Sequence, residues 1–302
     1  MAVRVGRRAK PGGGELSSSP ESARAARAAH APWRENRPTD GWLPRVDFRD
    51  LWEHREVAAF LALRDVRLRY RQTAFGVAWA IIRPLAAAAI FTIVFGRLVD
   101  VPSDGLPYVV FAYAGLTIWT YVSSAVEAAA NSLIEDRALV TKVAFPRVLA
   151  PVASTLPGLL DLAISLVILG VFMTVTGVAP SAALVVVPVS VAGAVAVSIG
   201  AGLLLSALNV KYRDVRYALG FALQTWLFAS PVVYPSSLFD GAWRYVFAAN
   251  PLVGVIDGFR WSVAGAPPPG AYVLVSLATG TLVLAAGVLV FSRMERRFAD
   301  VV

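Results

Sequence analysis

Six stretches of the chain read as membrane spans, since a hydrocarbon core of about 30 Å takes about 20 apolar helical residues to cross. They lie at Val77–Leu98, Tyr108–Ala130, Val148–Val175, Ala182–Leu208, Tyr217–Val233 and Tyr272–Phe291. The fifth is short and runs into Pro231, and the apolar pieces after it, Tyr245–Ala249 and Leu252–Gly258, have the length of segments that dip into a membrane without crossing. Ahead of the first span, Leu51–Arg71 has a helical pattern in which Val57, Leu61 and Leu68 share a side with Arg64. At 100° per residue Arg64, Arg67 and Arg71 fall within about 60° of one another, a basic stripe abutting the span. Asp65 and Arg69 have the spacing of a helix-supporting ion pair. The pattern predicts an all-α polytopic membrane protein: six transmembrane helices, an N-terminal amphipathic interfacial helix over 51–75, and re-entrant helices in the last external loop.

Composition agrees with this class. Mean hydropathy is +0.62, with 57% apolar and 16% charged residues, where soluble domains run near a quarter charged. Of the formal charge of +8, residues 1–71 supply +6 from 15 Lys+Arg against 9 Asp+Glu. Residues 1–40, with Gly12–Gly14 and Ser17–Ser19, can bury little apolar surface, so 1–50 is expected to be a disordered basic tail. Residues 76–297 then form the six-span domain and 298–302 a cytoplasmic tail. Arg137, Lys142 and Arg147 fall between spans two and three, Lys211, Arg213 and Arg216 between four and five, and Arg293, Arg296 and Arg297 after the sixth. The other side holds Arg97, Arg244 and Arg260. By the positive-inside rule both termini are cytoplasmic. A basic segment placed before membrane spans points to anionic lipid as a partner and away from nucleic acid. Cysteine is absent and the two histidines, His30 and His54, precede the apolar body, which excludes disulfides, thiolate metal sites and intramembrane histidine chemistry.

Charges within the spans are costly and need partners. Asp161 lies about 20 Å into the third span and Arg83 about 10 Å into the first, at 1.5 Å per residue; an Arg83–Asp161 contact is one reading. The other is that Arg83 snorkels to the headgroups and Asp161 is neutral or hydrogen-bonded between helices. Ser132 and Glu135 have the spacing of a capping box, which predicts a short loop helix running toward Phe145-Pro146. Phe111, Tyr113, Trp119, Tyr121, Trp226 and Phe228 form an interfacial belt or, in part, face a pathway where rings stack on sugars. No G-x-x-x-x-G-K-[ST] loop occurs in the sequence, so ATP-driven transport requires the ATPase on a separate chain.

Four segments carry a resemblance. Leu63–Thr73 (LRDVRLRYRQT) with Phe75–Leu85 (FGVAWAIIRPL) is the most specific; Asn131–Ile134 (NSLI) with Lys142–Arg147 (KVAFPR), Asn209–Val215 (NVKYRDV), and Ser230–Pro235 (SPVVYP) with Asn250–Leu252 and Gly258–Trp261 follow in order. Together they resemble the ABC-2 type permeases of polysaccharide exporters, the family that moves O-antigen, teichoic acid, galactan and related polyprenyl-linked glycans. The resemblance implies a homodimer in the bacterial cytoplasmic membrane, paired with two copies of a nucleotide-binding ATPase that holds ATP and Mg; this chain itself carries no cofactor or metal and is not an enzyme. It implies that Leu133, Ile134, Leu139, Lys142 and Phe145 receive the ATPase stroke. Arg64, Arg67, Arg69 and Arg71 would then meet a lipid-linked pyrophosphate, for which arginine's planar fork is suited. An ABC-2 drug or lipid exporter, a polytopic glycosyl- or acyltransferase and a secondary transporter are the competing readings.

Overall fold

The computed structural model describes residues 52–71, 78–136, 145–212 and 214–301, all within one unit, Gly41–Val302. Among these residues every regular element is helical. The helices are α1 (Arg55–Arg71), α2 (Ala78–Ile93, extended by a π turn over Val94–Leu98), α3 (Tyr108–Glu135), α4 (Leu149–Thr155), α5 (Gly158–Thr176), α6 (Val187–Lys211), α7 (Asp214–Phe228), α8 (Ala242–Phe247), α9 (Pro251–Ala264) and α10 (Val273–Val301). The expected tail over 1–50, and residues 72–77 and 137–144, lie outside the described residues.

α3 is the axis of the bundle. Its first half, Tyr108–Trp119, is apolar on nearly every side, and the helix is buried along most of its length, as a helix surrounded by others must be. α6 packs along it and α10 along α6. Small residues let these backbones approach: a side chain on Gly200 would stand 2.6 Å from the Leu284 Cα, one on Gly202 would stand 2.5 Å from the Ala129 Cβ, and one on Gly287 would overlap the Gly200 carbonyl oxygen. The third span is interrupted. Pro157 has no N–H to donate, and α4 gives way at Leu156-Pro157 to a second helix, α5, which starts at Gly158.

Among the described residues, five helical segments are long and apolar enough to cross a membrane: Ile81–Leu98, Tyr108–Glu135, Leu149–Thr176, Leu184–Lys211 and Val273–Glu295. The expected span at Tyr217–Val233 is not among them. Its helix, α7, has 15 residues, which at 1.5 Å each reach about 22 Å. The Ser230 hydroxyl turns back to the Trp226 carbonyl and Pro231 follows, so the chain leaves helical conformation there. α7 starts beside the end of α6, whose Asn209 donates to the Ala130 carbonyl at 2.9 Å. The turn after α7 sits beside the other end of α3, where the Tyr108 hydroxyl donates to the Val233 carbonyl at 2.6 Å. Tyr245–Ala249 and Leu252–Gly258, expected as re-entrant pieces, contribute to α8 and α9. Of these, α9 is inserted among α3, α6 and α10.

The glycine contact makes a prediction. Gly287→Ala and Gly200→Ala each press a methyl group into backbone, and overpacking of this kind costs about 1–3 kcal/mol. Gly170→Ala, at a site with open space around it, is the control. Thermal unfolding of the detergent-purified protein should show a lowered Tm for the first two and none of that loss for the third.

Candidate functional site

Two polar clusters stand at opposite ends of α3. At the Asp136 end, α1 lies across α4 and reaches the first turn of α5 through Arg69. Arg64 donates from Nε and Nη2 to Asp65 Oδ1 at 3.0 and 2.8 Å, and from Nη2 to Asp136 Oδ2 at 2.6 Å. The hydrogen bond to Asp136, reinforced by Asp65, raises the Arg64 pKa further above its ordinary value. Arg69 donates to Asp161 Oδ2 at 2.5 Å. Asp161 occupies the first turn of α5, where the exposed N–H groups and the helix dipole favour a carboxylate. The break at Pro157 thus supplies a helix N-terminus where the sequence suggests mid-span. Arg83 is at an exposed position of α2. Asp65, expected to pair with Arg69, accepts from Arg64. Arg67 is exposed; the side chain of Arg71 lies outside the described residues.

The capping-box expectation is corrected. Residues 131–135 are the last turn of α3, and Ser132 donates back to the Ala129 carbonyl at 2.8 Å instead of capping a new helix. The helix continues because Ala129, Ala130 and Leu133 are buried against its neighbours. Leu133 is core, clustered with Ala150, Leu203, Ala207 and Phe291, and Phe145 packs on the edge of the same cluster. Ile134 is exposed, and Leu139 and Lys142 lie outside the described residues. Asn209 of α6 donates to Asn131 Oδ1 at 3.2 Å, joining two of the segments singled out in the sequence. Arg147 donates from its backbone N–H to Glu295 Oε1 and from its Nη1 to the Glu295 carbonyl, fastening the chain before α4 to α10.

At the Tyr108 end the organising residue is Arg260 of α9, only 2% exposed. Its Nε donates to the Phe111 carbonyl at 3.1 Å and its Nη2 to the Val232 carbonyl at 2.7 Å. The guanidinium carbon is 3.5 Å from the Phe111 ring centroid, a cation–π contact, and Nη1 stands 3.9 Å from Asp257 Oδ1. Asp257 accepts from Ser236 at 2.5 Å and from Tyr272 at 2.9 Å. Burial pushes the Asp257 carboxyl up, with Arg260 opposing, and lowers Arg260 to about 10, which leaves it cationic at neutral pH. Beside this, Asn250 caps α9 by accepting from the Leu252 N–H, accepts also from Trp226 Nε1 at 3.0 Å, and donates to the Ala229 carbonyl and Ser230 Oγ. Every hydrogen-bonding position of that amide is used. Asn250, Asp257 and Arg260 went unassigned in the sequence, although an acid and a base three apart in an apolar stretch was a readable signal.

The aromatic residues divide accordingly. Phe111 lies under Arg260; Tyr113 is buried with its ring 5.0 Å from Phe172; Trp119 meets Trp226 edge-on at 6.0 Å; Tyr121 is buried. These four belong to the core. Trp226 is half-buried, and Phe228 alone of the six candidates is exposed.

A side chain on Gly115 would stand 2.5 Å from Arg260 Nη2 and 2.8 Å from the Val232 carbonyl oxygen. Arg260→Met leaves Asp257 without its counter-charge and should cost about 3–5 kcal/mol, and Gly115→Ala about 1–3 kcal/mol. Because both act on one contact, the double variant should lose less Tm than the two single losses together.

Residues 58–264, which include most of α1 and all of α9, match the family described as ABC-2 type transporter. The O-antigen export system permease protein RfbA of Myxococcus xanthus is 27% identical over 255 residues, covering 83% of this chain and 97% of that protein. A protein of the same name from Klebsiella pneumoniae is 24% identical over 239 residues, covering 79% of this chain and 92% of its own length. With the family match extending over most of the sequence and through both polar clusters, the chain belongs to the ABC-2 type transporter membrane family.

Proposed function

We propose that this protein is the transmembrane subunit of an ATP-driven exporter that moves a polyprenyl-pyrophosphate-linked polysaccharide across the cytoplasmic membrane, with ATP hydrolysed by a separate subunit. The observation that carries the reading is the near end-to-end similarity to two O-antigen export permeases. In this reading two copies of the chain pair with two copies of the ATPase. The Asp136 end is cytoplasmic and the Tyr108 end external. Helix α7 with the turn after it makes the fifth of six traverses, shortened because α8 and α9 fill the external side. Both termini are then cytoplasmic, in keeping with the charge distribution.

The cytoplasmic cluster divides the work of the arginine stripe. Arg64 and Arg69 hold α1 to Asp136 and Asp161, and the exposed Arg67 is the described member of the stripe placed to meet the pyrophosphate. Asp136 lies within 131–146, the segment that in this reading seats in the ATPase, so Arg64 joins that segment to the interfacial helix. Ile134, Leu139, Lys142 and Phe145 receive the stroke, and Leu133 anchors it to the core. On α7, Tyr217, Phe221 and Phe228 are exposed and fall within about 40° of one another at 100° per residue. This stripe offers stacking faces that bind sugar rings without fixing their order, as a conduit for a long glycan requires.

Depleting the protein tests the cargo: lipid-linked glycan should accumulate on the cytoplasmic side, and no accumulation contradicts the polysaccharide reading. Purification in mild detergent should bring down an ATPase, and scrambling residues 137–144 should abolish both its recovery and export. Substituting Tyr217, Phe221 and Phe228 together by Ala should cut glycan export several-fold while leaving Tm near that of the wild type, because all three are exposed.

A further inference from the structure

Helix α8 is amphipathic in reverse. At 100° per residue, Tyr245, Ala242, Val246 and Trp243 occupy an arc of about 160° that faces away from the protein, with Trp243 71% and Val246 60% exposed. The one charged residue of the helix, Arg244, turns inward instead. Its Nε donates to the Phe239 carbonyl at 3.0 Å, and its guanidinium lies 5.5 Å from the Tyr272 ring centroid. Phe247 is fixed on the inner side, stacked on Phe239 at 4.3 Å and tilted against Tyr234 at 5.9 Å. A helix facing water shows the opposite arrangement, polar outward and apolar inward. Leu238, just ahead of α8, is also exposed.

The level of this face is set by its neighbours. Ala248, the residue after α8, is buried with Val253 and Tyr272 beside Val273 and Val275, and its carbonyl accepts from Ser276 Oγ at 2.9 Å. Ser276 lies in the first turn of α10, where a span begins at Val273, and Leu274 and Leu277 of that turn are exposed and apolar. α8 therefore ends level with the rim of a membrane-crossing helix. Asp240, before α8, is exposed. Trp and Tyr, which carry an apolar ring with a polar N–H or O–H, favour this boundary between headgroups and acyl chains.

We propose that α8 is an interfacial anchor: Trp243, Tyr245, Val246 and Leu238 insert into the headgroup–acyl boundary of the external leaflet, and the occupant of the face is phospholipid. The anchor holds against the membrane the same loop that carries Asn250 and Arg260. It depends on the membrane placement of the chain and is independent of the cargo.

The chain has no cysteine, so single Trp243→Cys and Val246→Cys variants can each carry one nitroxide label, both at exposed positions whose replacement spares the core. The full chain is reconstituted into vesicles of palmitoyl-oleoyl phosphatidylglycerol and phosphatidylethanolamine, and collision of the label with oxygen and with a water-soluble nickel chelate is measured by EPR. Asp240→Cys is the aqueous reference and Leu277→Cys the hydrocarbon reference. The ratio of oxygen to nickel accessibility at 243 and 246 should exceed the Asp240→Cys value several-fold and approach that of Leu277→Cys. A ratio equal to that of Asp240→Cys at both positions overturns the anchor. So does spin–spin broadening at 243 that disappears on dilution with unlabelled protein, since it would place the face against a second copy.

Discussion

The arrangement depends on α3 being held at both ends by charge. Its 28 residues span about 42 Å, and the groups that fasten it are few. At one end Arg260 reaches the Phe111 carbonyl, and at the other Arg64 reaches Asp136. In a bundle whose outer surface is solvated by lipid, apolar burial does not favour one helix arrangement over another as it does in water, so packing of small residues and polar contacts between helices set the structure. The Gly200–Gly287 approach supplies the first and the two arginines supply the second.

The two ends differ in how far their charges are shielded. Arg260 is enclosed, and its guanidinium is used on carbonyls and a ring, which suits a contact that fixes a loop in place. Arg64 and Arg69 are partly exposed, each at about a quarter to a third of its side-chain surface, and pairs of this kind are individually weak because water screens them. A weak, open contact can be exchanged during a transport cycle, whereas the enclosed one persists. In the proposed exporter this places the moving parts at the cytoplasmic end and a fixed lining at the external end.

Much of the architecture was legible in the sequence because a long apolar run is a sufficient signal for a spanning helix. Where that signal misled, the reasons are local. Hydropathy registers Tyr217–Val233 as apolar but does not mark where the helix stops, and the Ser230-Pro231 turn ends it early. The depth of Asp161 was counted along an unbroken helix, while Pro157 restarts the helix and gives the carboxylate an N-terminus and a partner on α1. Ser132 and Glu135 have cap spacing, but the burial of Ala129, Ala130 and Leu133 keeps α3 going. Over the first half of α3, which is apolar on nearly every side, periodicity carries no information about which aromatic rings face a neighbour and which face a pathway, so Phe111, Tyr113, Trp119 and Tyr121 could not be told from Phe228. Arg260 looked like a loop charge because its partners, two backbone carbonyls on distant segments, leave no trace in sequence.

The central claim is that glycan recognition at α1 reaches the ATPase through the Arg64–Asp136 contact. It is tested most directly by ATP hydrolysis in vesicles containing the reconstituted complex, with and without polyprenyl-pyrophosphate-linked glycan. The account predicts stimulation of hydrolysis by the glycan in the wild type and loss of that stimulation in Arg64→Gln, with the ATPase still bound. A wild-type complex that the glycan does not stimulate, or an Arg64→Gln complex stimulated as fully as the wild type, would contradict it.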